Sequence, residues 1–293
     1  MFVSIIIPTI RETLLAKVLP AVLSQDYPED RYEVLVIEDG TKSKVKELVD
    51  SLSVSSGVSP RYFWQKHGGP AKARNFGVSQ AAGEVVAFID DDCLPPRNWL
   101  SLLIAGFAEY PEAVAVGGYM EAPEALLVNN VFAQFEAYQT HQVYKAGSFP
   151  VLAGFDCPAG GSNNLAYRKN VFLEFGGFDE SFPLPAGEDA DLKKRVADAG
   201  YKFLYLPIKV THLQQYNLKR FVRQSVMRGK GAVMFERKHG GWQGIWGLVL
   251  NFVYIWLSLF RNFLKITNKK IVILYLLQDM LMWWGRLLLV IGH

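Results

Sequence analysis

Residues 87–96 read AFIDDDCLPP, an apolar run that ends in three consecutive carboxylates, Asp90, Asp91 and Asp92. Three adjacent negative charges are costly unless a cation neutralises them, and hard oxygen donors suit Mg2+ or Mn2+. If the preceding run is a strand, side chains alternate, so Asp90 and Asp92 are expected to converge while Asp91 points elsewhere. Taken alone, the same three residues also fit an acidic surface loop. A second carboxylate pair, Glu188 and Asp189, opens the helical stretch GEDADLKKRVADAG (187–200). There it could serve as a general base or simply complement the helix macrodipole. Lys72 and Arg74 follow the loop and helix start GGP (68–70), whose Gly and Pro suit the backbone and whose two cations suit an anion. His212 stands apart from other ligand types, and by itself it is either structural or a metal ligand.

These residues need a scaffold, and the chain before them alternates short apolar runs with helical periods, the pattern of an α/β sheet. Strands are expected at 3–8, 32–39, 61–66 and 84–90, with helices at 13–25, 43–52 and 68–81 between them. Ligands of open α/β sheets sit beyond the carboxyl ends of the strands. The polar clusters Thr9–Glu12, Glu38–Asp39 and Asp90–Asp92 are therefore expected along one edge. Further on, a helix is expected at 98–111, a strand at 113–120, a helical stretch at 124–144, a Gly-rich turn at 158–169 and a closing strand at 202–207. Phe132, Phe135 and Tyr138, spaced three apart, read as core.

Half of the 293 residues are apolar and a fifth are charged, a globular balance, and the net charge of +3 names no partner. Nothing in the sequence points to nucleic acid or fixes an oligomeric state. Cys93 and Cys157 have no paired Cys/His spacing for zinc and are too few for a disulfide scaffold, which suits reduced thiols in a cytoplasmic protein. The opening FVSIIIP lacks a basic region and a cleavage site, and reads as a first strand rather than an export signal.

From about Trp242 the chain changes character. The runs 244–260 and 271–292 are strongly apolar and are joined by the basic linker RNFLKITNKK, while 217–240 is itself basic. Gln278 and Gly285, like Asp279 and Arg286, lie seven apart and so share a stripe on a helix. That disfavours a lone lipid-facing span; in-plane or re-entrant attachment, a two-span hairpin and a buried helical pair all remain open. Next to apolar helices, the basic residues suit an anionic lipid surface.

The segments IIIPTIRE (5–12), VIEDG (36–40), GGPAKARNFG (68–77), FIDDDCLPP (88–96), GGSNNLAYRKNVFLEFGGFDE (160–180) and GEDADL (187–192) together resemble family 2 glycosyltransferases, over roughly residues 2–215. The resemblance implies an inverting, nucleotide-sugar-dependent enzyme of GT-A fold: a mixed sheet with a Rossmann-like N-terminal nucleotide-binding half, here followed by C-terminal apolar helices. It implies a catalytic domain over 1–240, made of a donor half (1–96), an acceptor and catalytic-base half (97–215) and a basic helical segment (216–240). A membrane-associated helical region would occupy 241–293.

By position, the resemblance assigns Pro8, Thr9, Glu12, Asp39, Lys72, Arg74, Asp90 and Asp91 to the donor, with Asp39 on the base, commonly uracil, and Asp91 near the ribose. Asp92, with Asp90 and His212, would hold Mn2+ or Mg2+. Asp189 would be the catalytic base. Gly160, Gly161, Ser162, Asn163 and Glu188 would frame the donor sugar and acceptor. Two positions depart from the family's pattern: Glu38 stands where an aspartate is usual, and Ile10 and Arg11 replace the usual aromatic and Asn. The implied donor is a nucleotide sugar, a UDP-sugar first, and the implied acceptor a glycan or lipid-linked hydroxyl at the cytoplasmic face of the cell membrane.

Two rivals remain at this level. Retention of Asp92 and Asp189 argues against a catalytically silent glycan-binding or scaffolding relative. A Mg2+-dependent phosphohydrolase with Asp90 as nucleophile commonly wants Thr or Val after the second Asp, where Cys93 and Leu94 stand.

Overall fold

The computed structural model describes residues 1–41, 44–53, 57–143, 145–182, 186–241 and 244–291. Its centre is a nine-stranded mixed sheet. Strands β1 (Val3–Thr9), β2 (Tyr32–Asp39), β3 (Arg61–Gln65) and β4 (Val85–Ile89) are parallel, in the order β3-β2-β1-β4. Between them run helices α1 (Glu12–Leu23), α2 (Val45–Ser53) and α3 (Pro70–Gln80). Ile5, Ile7, Val34 and Val36 face one core with Leu15 and Val18 of α1, whereas Ile6, Leu35 and Ile37 face the other with Ala71 and Val78 of α3. A sheet buried on both faces in this way explains why its strands are almost continuously apolar.

Beyond β4 the pairing becomes mixed. After β5 (Cys93–Leu94) and α4 (Trp99–Glu109) come β6 (Ala113–Glu121), the short helices α5 (Glu124–Asn129) and α6 (Val131–Tyr138), and β7 (Val151–Ala153). Then follow β8 (Asn164–Arg168), α7 (Lys169–Glu174), α8 (Glu188–Asp198) and β9 (Lys202–His212). The order continues β4-β8-β6-β9-β5, with β7 also paired to β9. One sheet thus runs through both the 1–96 and the 97–215 segments.

Several sequence expectations change here. The Gly-rich 158–169 stretch contains β8, a strand that is antiparallel to β4 on one side and to β6 on the other. The closing strand does not stop at 207 but continues to His212, passing Pro207 where the pairing with β6 skips between Tyr205 and Lys209. Proline lacks the N–H that a regular ladder would use, and an irregularity accommodates it. The helical stretch 124–144 is broken at Asn130, whose side chain accepts from the backbone N–H of Phe132 (2.9 Å) and Ala133 (3.1 Å) and so starts α6 anew. Ser43, Tyr144, Trp242 and Gly292, which fall within or at the edges of expected elements, lie outside the described residues.

At the C-terminus, α9 (Leu218–Lys238), α10 (Gly244–Lys265) and α11 (Lys269–Ile291) form a helical appendage. Helix α11 packs on α9 and α6 through the stripe expected from sequence. Gln139 Nε2 donates to Gln278 Oε1 (2.6 Å), and Arg286 pairs with both oxygens of Glu236 at 2.8 Å. Two glycines set the spacing: a Cβ on Gly229 would lie 2.0 Å from the Met282 carbonyl oxygen, and one on Gly285 would lie 2.1 Å from that of Val226. Phe135 is buried here against Phe221 and Tyr275. By length and composition α10 and α11 could each cross a membrane, and α10 exposes Trp246, Leu250, Trp256, Leu257 and Phe260 along its outer side.

Candidate active site

The parallel registers place Thr9 opposite Glu38 and bring the ends of β1, β2 and β4 to one edge, as expected. The three aspartates do not continue the strand. Strand β4 ends at Ile89, and a turn closed by Cys93 N–H donating to the Asp90 carbonyl (3.0 Å) carries Asp90–Asp92. Strict alternation is lost in that turn, and with it the expected convergence of Asp90 and Asp92. Arg11 instead brings Asp91 and Asp92 together, while Asp90 faces Arg74.

Asp91 and Asp92 are almost fully buried. Thr9 Oγ1 donates to Asp91 Oδ2 (2.7 Å), and Arg11 Nη2 bonds Asp91 Oδ1 and Asp92 Oδ2, the latter at 3.0 Å. Burial still pushes the Asp91 carboxyl above its ordinary value despite these partners. Arg220, in the first turn of α9, reaches the same Asp92 Oδ2 at 3.7 Å. It is placed there by Asn217, whose side chain caps the helix by accepting from Arg220 N–H (2.9 Å).

The other Asp92 oxygen faces His212. Strand β5 pairs antiparallel with β9, setting Cys93 opposite His212, and His212 Nε2 lies 3.8 Å from Asp92 Oδ1. Two ligands each about 2.1 Å from one Mg2+-sized ion can be at most about 4.2 Å apart, so this pair fits a shared divalent cation. Cys93 Sγ completes the cluster by distance, but burial drives its thiol well above the ordinary value, and a neutral soft donor suits Mg2+ or Mn2+ poorly. Asp90 does not join this group.

Sequence reasoning missed Glu136, which holds His212 from behind. Its Oε1 lies 3.1 Å from His212 Nδ1 and accepts from Tyr216 Oη (2.9 Å), while Oε2 accepts from Gln214 Nε2 (2.7 Å). With Nδ1 so engaged, Nε2 is turned toward Asp92, the usual support for a metal-binding imidazole. Although burial opposes its charge, the His212 and Tyr216 contacts keep the Glu136 carboxyl below its ordinary value. Nothing in the local sequence of α6 marks this residue.

Across the site, α8 begins at Gly187, whose backbone has φ of 105°. A side chain there would also press on the Phe182 ring, so glycine is what lets the chain enter α8 with Glu188 and Asp189 turned inward. Arg74, fully buried, links the two halves: Nη2 donates to Asp90 Oδ1 (2.7 Å) and Nη1 to Glu188 Oε1 (3.4 Å). Burial opposes its charge, but Asp90, Asp189 and Glu188 around it raise its pKa. Asp189 Oδ2 accepts from the Ser162 N–H (3.1 Å), tying this carboxylate to the Gly160–Asn163 segment, and Oδ1 has no hydrogen-bond partner among the described residues. Burial raises the Asp189 carboxyl, and burial plus the Asp189 charge pushes Glu188 up to about 8.

The remaining expected residues are placed as follows. Asp39 Oδ1 accepts from Gln65 Nε2 (2.9 Å) and Gly68 N–H (2.8 Å), and Oδ2 from Gly69 N–H (2.9 Å), so it organises the loop into α3. Glu38 is buried and takes the hydroxyl of Tyr62. Pro8 and Glu12 are half-buried near Thr9, and Lys72 is exposed on the first turn of α3. Asn163 Nδ2 lies against Met120 Sδ at 3.0 Å, beside β6.

Comparison with known proteins adds to this geometry. Residues 4–155, just over half of the chain, match the model of Glycosyl transferase family 2, and residues 85–292 match that of Glycosyl transferase family group 2. Glycosyltransferase AglE of Haloferax volcanii is 28% identical over 205 residues, covering 70% of this chain and 64% of that protein. The pre-mycofactocin glycosyltransferase of Mycobacterium tuberculosis is 28% identical over 207 residues, covering 70% of this chain and 43% of that protein. The chain thus spans less than two thirds of the length of these relatives.

Among solved structures, the mannosyltransferase PcManGT from Pyrobaculum calidifontis, in complex with GDP-Man and Mn2+, superposes with a TM-score of 0.67 at 17% identity, over 98% of this chain and 86% of that one. GalNAc-T7 with UDP, GalNAc and Mn2+ gives a TM-score of 0.57 at 18% identity, over 73% of this chain and 43% of that one. At these identities the superpositions speak for the fold.

Proposed function

The chain belongs to glycosyltransferase family 2 and has the GT-A type of fold, and from that premise we propose that it moves one sugar from a nucleoside-diphosphate donor to an acceptor hydroxyl with inversion. The observation that carries this reading is Asp189: a half-buried residue with one carboxylate oxygen fixed by Ser162 and the other enclosed and unpartnered among the described residues, next to Glu188, which Arg74 links to Asp90 of the acidic turn. Burial makes it a stronger proton acceptor than an ordinary carboxylate.

Asp189 takes the acceptor hydroxyl proton as that oxygen attacks the anomeric carbon. The bond from the same carbon to the diphosphate oxygen breaks with its electron pair, and one displacement inverts the centre. Asp92 and His212 would hold a divalent cation, Mn2+ or Mg2+, which when bound supplies positive charge to the leaving diphosphate. Asp39, Thr9, Pro8, Glu12, Lys72, Arg74 and Asp91 would receive the nucleotide, and Gly160–Asn163 with Glu188 the sugar and acceptor. We assign the donor to UDP-sugars first; the superposed structures, one with GDP-Man and Mn2+ and the other with UDP, GalNAc and Mn2+, support a nucleotide-sugar donor in general. The acceptor would be a glycan or lipid-linked hydroxyl, met at the cytoplasmic face of the cell membrane through α10 and α11.

The test is nucleoside diphosphate release from a panel of UDP- and GDP-sugars with Mn2+. Release is expected with at least one donor, falling about 10²–10⁴-fold in Asp189→Asn with nucleotide affinity retained. No release with any donor, or full activity in Asp189→Asn, overturns the reading.

A further inference from the structure

Arg11 lies at the junction of β1 and α1, where its backbone and its side chain are both engaged. Its backbone is fixed: the N–H donates to Thr9 Oγ1 (3.1 Å), and its carbonyl accepts from Leu14 N–H (3.2 Å) and Leu15 N–H (3.1 Å) at the start of α1. From there the guanidinium bonds both Asp91 and Asp92, with Nε adding a contact to Asp91 Oδ2 at 3.3 Å. The two carboxylates are 3% and 5% exposed, while the Arg11 side chain is 36% exposed, so the cation lies on the solvent side of the anions it covers. With Arg220 at 3.7 Å from Asp92, two guanidinium charges already lie against these two carboxylates.

A divalent cation arriving alone would meet the Arg11 and Arg220 charges at close range, against like-charge repulsion. Arriving with a sugar nucleotide, it brings the two negative charges of the diphosphate to offset its own. A guanidinium is also well shaped for such an oxyanion and can exchange carboxylate for phosphate oxygens. We propose that Arg11 is a built-in counter-ion that hands Asp91 and Asp92 over to the incoming ligands and turns to the diphosphate, so that cation and nucleotide bind as a pair. The proposal rests on the donor and metal assignment above, and it assigns Arg11 a positioning role in that site.

The test is direct Mn2+ titration of the full chain by electron paramagnetic resonance, with and without UDP or GDP, in the wild type, Arg11→Gln and Arg11→Lys. In the wild type, Mn2+ alone is expected to bind weakly and nucleotide to tighten it; by linkage, Mn2+ tightens the nucleotide by the same factor. In Arg11→Gln the Mn2+ affinity without nucleotide should rise about tenfold and the mutual tightening should shrink by a similar factor, with Arg11→Lys in between. Equal Mn2+ affinity in Arg11→Gln and wild type, with nucleotide still bound by both, overturns the role of Arg11 and leaves the donor assignment standing. Absence of both Mn2+ and nucleotide binding in every variant overturns the two together.

Discussion

At the scale of single residues, the site is built from charges that are buried before any substrate arrives. Arg74 shows how they coexist: one guanidinium serves Asp90 and Glu188 at once, and its charge also acts on Asp189. It does not fully compensate Glu188, whose carboxyl burial and the neighbouring Asp189 charge push up to about 8. The sign of the consequence follows from that value. A carboxyl whose folded pKa lies above its unfolded value near 4.5 binds its proton more tightly in the native state. Its contribution is therefore complete below about 4.5 and is lost as pH rises toward 8. Urea unfolding across that window should show stability falling with pH in the wild type and a flatter profile in Glu188→Gln. An unchanged slope would mean that Glu188 is ionised in the fold. The types of these residues were readable from sequence, but their partners were not. Glu136, Arg11 and Arg220 come from α6, the β1–α1 junction and α9, and only the folded chain makes them neighbours of Asp92 and His212.

At the scale of elements, the parallel strands were legible because burial on both faces writes them as apolar runs. Strand β8 was not: it is only five residues long and follows a Gly-rich turn, so turn chemistry masked it. The end of β9 was hidden by Pro207, a residue that argues against a strand interior unless the ladder is already irregular. The stripe on α11 argued only against a lone lipid-facing span and left in-plane attachment, a two-span hairpin and a buried pair open; its packing on α9 appears only in the folded chain. The contact depends on two glycines that let backbones touch, and it makes a sharp prediction. Gly285→Val places a side chain against the Val226 carbonyl, so α9 and α11 must separate. Thermal unfolding should show a loss of about 1–3 kcal/mol, the range for overpacking a tight interface. Gly240→Ala, at a glycine with nothing near its Cβ but with φ of 79°, gives a backbone-strain control that leaves the helix contact intact. A Gly285→Val protein as stable as wild type would mean that the two helices are not held as closely as described.

At the scale of the whole molecule, the outer side of α10 is an extended apolar surface, with Trp246 and Trp256 more than half exposed. The turn into α11 adds exposed Arg261, Lys265, Lys269 and Lys270. Apolar side chains beside a cluster of cations suit an anionic bilayer, each cation contributing about 1 kcal/mol near the surface. Sedimentation with vesicles containing phosphatidylglycerol should carry the protein down, with tryptophan emission shifted to the blue. The double substitution Trp246→Ser, Trp256→Ser should release much of it, and raised salt should weaken the remainder. Binding equal on neutral and anionic vesicles would remove the electrostatic part. The sheet itself has a different consequence, which concerns how the protein is made. The parallel strands β1 to β4 emerge first and pair locally, but His212 meets Cys93 only when the last strand docks beside β5. A ribosome needs on the order of ten seconds to travel from Asp92 to His212. Throughout that interval a nascent chain carries its acidic turn without His212, so under the proposed metal assignment any capture of a cation would have to wait for the final strand, as a late certificate of correct folding.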